Sequence, residues 1–274
     1  MQLGVISVCV SPMRKEPNHR SEMTSQCLFG QAVKVIGQNE DWYLIRCESD
    51  EYEGWITKSH LQKSSAFQND HRTEWGIIVE PLVPAQIITN KQASNFFLTA
   101  GCRFPIQPSK NSEVLTIDFV DFTVEISKKY VHKPLDFKVN LLLEKSQLFL
   151  NTPYLWGGKT IFGTDCSGFI QTLFSLFAFS LPRDAWQQAL VLQEVSWEDR
   201  TPGDIVFFHQ DNQRISHVAL LSQDDFVTHA NGRVRIDPVS SEGIFNTEQA
   251  KITHRNPIAK TIRINEQPIK QLMS

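Results

Sequence analysis

Short alternating or β-rich runs, separated by turns, fill the first part of the chain. "VISVCVS", "QAVKVIGQ", "DWYLIRCE" and "EGWITKSHLQ" follow one another within the first sixty-odd residues, with no long helical pattern between them. Strands this short, joined by Gly, Asn, Asp and Glu turns, are typical of a small β-barrel. We therefore predict a barrel at residues 1–64, with Trp42 and Trp55 in its core.

A second β-rich region follows a polar stretch at residues 63–74, "KSSAFQNDHRTE", whose composition is typical of a linker. "GIIVEPLVPAQIITN", "NFFLTAG" and "TIDFVDFTVEIS" carry the β pattern to about residue 128. Because this region contains no motif, we predict a second barrel at residues 65–132 that serves as a spacer.

Helical periodicity begins only after His132. "PLDFKVNLLLEKSQLFLN" has apolar residues at helical spacing and predicts a helix that ends before Pro153. "CSGFIQTLFSLFAF" predicts a second helix, whose buried stripe consists of Phe169, Ile170, Leu173, Phe174 and Phe177. Four β-type runs follow: "GDIVFFHQ", "SHVALLSQ", "DFVTHANG" and "RVRIDPV". Helices ahead of an antiparallel sheet predict an α+β domain at residues 133–274.

Composition limits the partners that the chain is expected to bind. Apolar residues make up 41% of the 274 positions, and the formal net charge is −3. These values describe a globular protein and give no reason to expect nucleic acid or a membrane as a partner. The longest apolar run, "FIQTLFSLFAFSL", is too short to span a bilayer. We expect a monomer.

The cysteines and the N-terminus predict a cellular location. Five widely spaced cysteines without a CxxC pair argue against a disulfide framework and a structural zinc site. "MQLGVISVCVSPMRKEP" has neither early basic residues nor a long apolar run, so we expect no secretory signal. A reduced, cytoplasmic protein is the simplest interpretation.

Cys166 stands where the second predicted helix begins. A helix N-terminus offers unpaired N–H groups and the positive end of the dipole, and a nearby imidazole supplies a base; together they stabilise a thiolate. Asp165 and Ser167 are suited to capping, and Gly168 leaves room for a close backbone approach. A cysteine at a helix start is nevertheless more often an inert, small apolar residue.

Two histidines lie twelve positions apart in neighbouring predicted strands. His217 lies in "ISHVAL" and His229 in "VTHANG". A lone strand histidine is usually a core residue with a satisfied hydrogen bond. A hairpin of this length, however, can place both imidazoles on one face. With Cys166 they give the order nucleophile, base and orienting residue, as in a papain-like triad.

Five blocks, in order, carry a family resemblance between about residues 150 and 236. "PYLWGGKTIFGTDCSGFIQTLF", "LPRDAWQQ", "PGDIVFF", "ISHVALL" and "THANGRVRI" resemble the NlpC family of bacterial cysteine peptidases, which has a circularly rearranged papain-like fold. The resemblance implies that Cys166 is the nucleophile, His217 the general base and His229 the residue that orients it. It also implies an oxyanion site made of Tyr154 and the Cys166 backbone N–H.

The remaining block residues have implied supporting roles. Asp165 and Ser167 complete the Asp-Cys-Ser-Gly block of the family. By resemblance, further substrate-binding candidates are Arg183, Trp156 and Ser216.

The N-terminal region resembles the bacterial SH3-type barrel found in one branch of this family. That branch contains γ-D-glutamyl-L-diamino acid endopeptidases, which cut free stem peptides that begin with L-Ala. The resemblance implies two small SH3-like barrels ahead of a papain-like domain. In the branch, an acidic residue and a tyrosine of the first barrel, with an aspartate of the Arg-Asp block, hold the α-amine of the substrate.

Asp184 in "LPRDAWQQ" matches that aspartate and is also suited to capping a helix in "AWQQALVLQ". Glu22 and Tyr52 are the barrel candidates, with Glu16 as the alternative to Glu22. Each of these is also a plausible solvated turn residue. The branch often has Ser where this chain has Ala185, so one amine contact is missing. A substrate with a blocked amine would leave such acceptors unpaired.

The expected function is therefore cleavage of the γ-D-Glu–diamino acid amide bond in free murein tri- and tetrapeptides, as in muropeptide recycling. The alternatives are an exported hydrolase acting on polymeric peptidoglycan, a catalytically silent module that binds wall peptide, and, more remotely, an acyltransferase. We expect no cofactor or metal, because the histidines lack ligand partners at usable spacing. Asp204 is interpreted as a turn residue. No pattern assigns a role to His60, His71, His132, His209 and His254.

Overall fold

A computed structural model describes residues 2–63, 74–106, 113–209, 214–264 and 267–268. The chain divides into two compact units, Met1–Leu135 and Asp136–Ser274. Most of the predicted linker, including His71, lies outside the described residues. The division of the first 132 residues into two SH3-like barrels stays a prediction.

The first part of unit 1 is a seven-stranded antiparallel sheet in the order β3-β2-β6-β5-β4-β1-β7. Its strands are β1 Gln2–Ile6, β2 Val10–Arg14, β3 Met23–Leu28, β4 Ala32–Asn39, β5 Trp42–Cys47, β6 Glu53–Thr57 and β7 Leu61–Gln62. Alternate residues enclose a core that includes Met13, Ile45 and Ile56. Trp42 is buried, as predicted, whereas Trp55 is half-buried.

The second part of unit 1 contains a four-stranded sheet, β10-β9-β13-β12, and the separate pair β8–β11. The strands are β8 Glu74–Ile77, β9 Leu82–Thr89, β10 Gln92–Thr99, β11 Arg103–Ile106, β12 Val114–Asp118 and β13 Thr123–Ser127. Its core extends to Phe29 from the first part, which packs edge-on against Phe96, Phe104 and Phe119. The predicted β-rich character of residues 75–128 is confirmed for the described residues.

The described residues of unit 2 form three short α-helices and a large sheet, which confirms the predicted α+β class. The helices are α1 Val139–Ser146, α2 Cys166–Ser175 and α3 Ala185–Val191. The first helix is shorter than predicted at both ends: it begins only at Val139, and its last turn, Gln147–Phe149, is a 3₁₀-helix. Among the described residues, no helix is long and apolar enough to cross a bilayer.

The strands of unit 2 form an eight-stranded antiparallel sheet in the order β16-β23-β17-β18-β19-β20-β21-β22, with two small hairpins. Their bounds are β14 Lys159–Thr160, β15 Gly163–Thr164, β16 Gln193–Val195, β17 Ile205–His209, β18 Ile215–Gln223, β19 Phe226–Asn231, β20 Arg233–Ser240, β21 Gly243–Asn246, β22 Lys251–Arg255, β23 Pro257–Thr261, β24 Arg263–Ile264 and β25 Gln267–Pro268. The four predicted β runs correspond to β17, β18, β19 and β20.

Helix α2 is more deeply buried than its apolar stripe alone predicts. The five stripe residues are all buried, but so are the polar residues on its other faces, among them Gln171 and Thr172. These polar groups are satisfied, since Gln171 Nε2 donates to the Leu181 carbonyl at 2.8 Å and Thr172 Oγ1 to the Lys159 carbonyl at 3.1 Å. The helix is therefore the centre of unit 2 rather than a surface helix.

Gly168 allows the first turn of α2 to approach the preceding loop. A Cβ at this position would lie 2.1 Å from the Gly158 carbonyl oxygen and 2.9 Å from Asp165 Oδ1. Both neighbours are fixed, because Asp165 and Gly158 are themselves hydrogen-bonded across this turn. The expected close backbone approach at Gly168 is thus confirmed.

Gly168→Ala should destabilise unit 2 and displace the start of α2, since the backbone must move to admit the methyl group. We expect a loss of about 1–3 kcal/mol in the free energy of unfolding, the usual cost of overpacking. Denaturant titration of the full chain measures it. Ser175→Ala, at the other end of the same helix, removes only a hydroxyl bonded to the Thr172 carbonyl and is the matched control. Equal stability of the two variants would contradict the tight approach.

Candidate active site

The Cys166 thiol lies at the first residue of α2, against strand β18. Its side chain is buried, and the backbone N–H groups of Val218 and Ser167 donate to the sulfur. Because Val218 follows His217 in β18, the sulfur is held beside the strand that carries this histidine. α2 and β18 therefore supply the first two candidate catalytic residues.

Asp165 is the N-cap of α2 and the centre of a buried hydrogen-bond network. Its Oδ1 accepts from the Gly168 N–H at 2.7 Å, and its Oδ2 accepts from the Gly157 N–H at 2.8 Å. Arg183 Nη2 lies 2.6 Å from Oδ2, and Arg183 Nη1 donates to Ser167 Oγ at 2.8 Å. The carboxylate thus joins three chain segments around Cys166, in agreement with the predicted capping role.

Arg183 has a structural position that differs from its predicted contact with substrate. Its side chain is 1% exposed, and its guanidinium donates to Asp165 and Ser167 inside the protein. A buried guanidinium needs such acceptors, since an unpaired buried charge is costly. The structure thus gives Arg183 a role in holding the Asp165 turn.

The thiol does not have the stabilised thiolate that its position at a helix start predicts. Burial, and then the negative charge of Asp165, raise the pKa of Cys166 to about 12, against the opposite effect of the Val218 N–H. The N-cap carboxylate that completes the helix also offsets its positive end. With a pKa this far above 7, the Cys166 thiol keeps its proton near neutral pH.

His217 and His229 lie together on one face of the sheet. The β18–β19 register pairs Leu220 with Thr228, which makes the two histidines diagonal neighbours. His217 Nε2 lies 2.9 Å from His229 Nδ1, and both side chains are buried. Burial first, and then neighbouring imidazoles, lower the pKa of His217 well below its ordinary value. Both rings are therefore neutral near pH 7, because burial also lowers the pKa of His229.

A carboxylate continues this chain of contacts beyond the second histidine. His229 Nε2 lies 3.1 Å from Oδ2 of Asp237, whose side chain is fully buried. Burial alone would raise the pKa of Asp237, but hydrogen bonds from His229 and Arg235 outweigh it and lower the pKa to about 2. Asp237 is therefore an anion throughout the working pH range.

A third imidazole stacks on the first. The ring centroids of His254 and His217 are 3.9 Å apart, and Thr253 Oγ1 lies 3.0 Å from His254 Nδ1. Ligand atoms of His217, His229 and His254 all lie within 4.8 Å of one another, so the three could hold a metal ion. The expectation that the histidines lack partners at metal-ligand spacing is wrong for this trio. His229 could join such a site only by giving up its bond to His217 or to Asp237.

Tyr154 and Trp156 lie at the rim of the site. Tyr154 is 36% exposed, and its backbone N–H donates to the Gly232 carbonyl at 2.9 Å. Burial, and then the nearby Cys166 and Asp165, raise the pKa of Tyr154, so its hydroxyl remains a donor. A donor beside the thiol suits the predicted oxyanion role. Trp156 and Ser216 are exposed, which leaves both open to a ligand.

Asp184 and Asp204 have the local roles that the sequence suggests. Asp184 is half-buried at the N-cap of α3, and its backbone N–H donates to Gln187 Oε1 at 3.2 Å. Asp204 is buried ahead of β17, where it accepts from the Thr201 N–H at 2.8 Å and pairs with Arg263 at 3.0 Å. Asp204 is thus a turn residue, as predicted.

The predicted amine-binding residues of the barrel belong to unit 1, whereas Cys166 belongs to unit 2. Glu22 is exposed and lies 3.6 Å from Lys15 Nζ. Tyr52 is half-buried against the barrel core, and Glu16 is exposed. Their roles stay predictions.

The sequence interpretation missed Asp237 and His254. Asp237 follows Arg235 by two positions in "RVRIDPV", so both lie on the same face of β20, and the β19–β20 register pairs His229 with Arg235. Aligning β19 with β20 in this register would have identified Asp237 as the diagonal cross-strand neighbour of His229. His254 reaches the site from β22, four strands from β18 in the sheet, and no local pattern marks it.

Two parts of the chain match known protein families. The sequence profile of the NlpC/P60 family matches residues 151–253, and that of the bacterial dipeptidyl-peptidase SH3 domain matches residues 13–61. A γ-D-glutamyl-L-lysine dipeptidyl-peptidase of Bacillus cereus is 24% identical over 244 residues, which cover 81% of this chain and 72% of that protein. The protein of the same name from Bacillus subtilis is 29% identical over 209 residues, covering 72% and 68%.

A solved structure shares the fold. The crystal structure of an NlpC/P60 family protein from Bacillus cereus superposes with a TM-score of 0.80 at 19% identity, covering 95% of this chain and 99% of that one. Residues 151–253 therefore match the NlpC/P60 family, and the chain shares the papain-like fold of that solved structure; residues 13–61 match the bacterial dipeptidyl-peptidase SH3 domain.

Proposed function

We propose that this protein is a cysteine endopeptidase that cleaves the γ-D-Glu–diamino acid amide bond of free stem peptides with an N-terminal L-Ala. The observation that carries the proposal is the position of the Cys166 thiol against β18, next to the hydrogen-bonded pair His217–His229. The names of the two Bacillus relatives support the choice of bond. The recycling role and the cytoplasmic location are part of the same proposal.

The neutral thiol and the neutral imidazole define how the reaction begins. As the sulfur attacks the amide carbonyl carbon, His217 takes the thiol proton, and negative charge develops on the carbonyl oxygen. The Cys166 backbone N–H and the Tyr154 hydroxyl are the proposed donors to that oxyanion.

Collapse of the intermediate completes the first half of the reaction. His217 gives its proton to the departing α-amine of the diamino acid, and the L-Ala-D-Glu acyl group stays on sulfur as a thioester. Water then attacks the thioester carbonyl while His217 accepts its proton. The sulfur leaves and regains a proton, which releases a dipeptide with a free γ-carboxylate.

Binding of the free α-amine would select stem peptides with an unblocked N-terminal L-Ala. Asp184 supplies a half-buried carboxylate in the unit that contains Cys166, and we propose that it pairs with the free α-amine; the amine-binding roles of Glu22 (or Glu16) and Tyr52 stay predictions. Removing the charge of the amine would leave such acceptors unpaired, which is a strong basis for discrimination. An exported hydrolase acting on intact peptidoglycan would gain nothing from this arrangement, because stems in the wall have a blocked N-terminus.

Cys166→Ala should abolish release of L-Ala-D-Glu from L-Ala-γ-D-Glu-L-Lys and from the diaminopimelate analogue. Loss of the nucleophile removes the covalent route entirely, and mass spectrometry of the products measures it. Cys9→Ala, the same substitution at a half-buried cysteine of unit 1, is the control and should retain activity. Product release by the Cys166→Ala variant would refute the cysteine mechanism.

Wild-type protein should cut the free peptide roughly 100-fold or more faster, in kcat/KM, than its N-acetylated form, the scale on which buried polar groups reject an unmatched ligand. Asparagine caps a helix as well as aspartate does, so Asp184→Asn removes only the negative charge. The ratio of kcat/KM for the free peptide to kcat/KM for the N-acetylated peptide should fall at least about tenfold in this variant. Steady-state kinetics on the two peptides, with thermal unfolding as the stability check, gives both values. Equal rates for free and blocked peptides would favour the exported hydrolase.

Alkylation of Cys166 by iodoacetamide should speed up steadily with pH. Because the thiol has a pKa of about 12, the thiolate fraction grows about tenfold for each pH unit between pH 7 and 9.5. Peptide mass mapping isolates the Cys166 adduct, and Cys166→Ser defines the background. A rate that is already flat between pH 6 and 8 would reveal a preformed thiolate–imidazolium pair and contradict the neutral resting state.

A further inference from the structure

We infer that Asp237 is a positioning residue that sets, through His229, which ring nitrogen of His217 is left without a proton. The inference rests on the proposed function, since it concerns the residue proposed as general base. It follows from the order of contacts His217–His229–Asp237 and from the groups that surround the carboxylate.

The proton positions follow one after another from the carboxylate. Ionised Asp237 can only accept, so the His229 Nε2 that lies 3.1 Å from its Oδ2 carries a hydrogen. A neutral imidazole has one N–H, and the Nδ1 of His229 therefore presents a lone pair. His217 Nε2, at 2.9 Å, must donate to it, which leaves Nδ1 of His217 unprotonated and able to accept the thiol proton.

The groups around Asp237 stabilise its ionised form. Arg235 Nη2 donates to Oδ1 at 2.9 Å, and Arg235 Nε lies 2.7 Å from Oδ2. Thr247 Oγ1 donates to Oδ1 at 3.1 Å. Arg235 is itself held from the other side by Glu248, at 2.6 Å. The charged or titratable groups around the pair are therefore Arg235 and Glu248, together with His254 stacked on His217.

The same surroundings predict what an amide would do in place of the carboxylate. Arg235 Nη2 and Thr247 Oγ1 both donate to Oδ1, whereas Arg235 Nε lies near Oδ2 without forming a hydrogen bond. The single oxygen of an asparagine would therefore occupy the Oδ1 position. Its NH₂ group would then point at His229 Nε2 and require a lone pair there. Both histidines would take the opposite tautomer, which places a hydrogen on His217 Nδ1 and removes the base.

Asp237→Asn should therefore lower kcat roughly 10²–10⁴-fold, the contribution of a correctly oriented general base, with KM changed by less than about threefold. Glu248→Gln is the control. It removes the outer contact of Arg235 from an exposed side chain and should leave kcat within about twofold. A merely structural role of Asp237 would instead lower thermal stability and the active fraction while leaving kcat per active site unchanged.

Nitrogen NMR of ¹⁵N-histidine-labelled protein reads the tautomers directly, with His217→Gln and His229→Gln used for assignment. Wild-type protein should show Nε2–H on both residues near pH 7, and Asp237→Asn should show Nδ1–H on both. A wild-type His217 protonated at Nδ1, or unchanged tautomers in the variant, would overturn the inference. Because this readout needs no substrate, it stands even if the proposed peptide is not cleaved, and the wild-type spectrum decides even if the variant fails to fold.

Discussion

The Asp165 carboxylate is the interaction on which the rest of the site depends. It is buried, and it satisfies the first turn of α2, the Gly157 N–H and the Arg183 guanidinium at the same time. Unpaired, any of these groups would cost several kcal/mol inside the protein. This arrangement fixes the Cys166 backbone relative to the loop that carries Tyr154, but the same negative charge opposes ionisation of the thiol. Asp165 thus holds the Cys166 backbone in place and adds to burial, which is the larger cause of the raised pKa of the thiol.

The groups proposed to accept the thiol proton lie on the sheet. Strands β18, β19 and β20 place His217, His229 and Asp237 on one face, where burial keeps both imidazoles uncharged. An uncharged imidazole is ready to accept a proton, whereas an imidazolium is not. The stacked ring of His254 reinforces this state, because a second buried imidazole disfavours a charge on the first. The neutral thiol and the neutral imidazoles therefore suit the proposed proton transfer during attack better than a resting thiolate–imidazolium pair.

Much of this could be predicted from local sequence pattern. The helix at Cys166, the strands carrying His217 and His229, and the cap at Asp165 all depend on neighbours within a few residues, and all are present in the structure. Four features could not be predicted this way. The role of Arg183 depends on the burial of its partner, His254 arrives from a distant strand, and Asp237 becomes visible only when the register of β19 and β20 is known. The pKa of Cys166 depends on a balance between helix end and burial that spacing alone does not determine.

Direct detection of the acyl-enzyme tests the central claim that Cys166 is the nucleophile. Full-length protein mixed with excess L-Ala-γ-D-Glu-L-Lys, quenched in acid within the first turnovers and digested, can be mapped by mass spectrometry. The account predicts an L-Ala-D-Glu acyl group attached as a thioester to the peptide containing Cys166. Rapid turnover with the acyl group on another residue would contradict it.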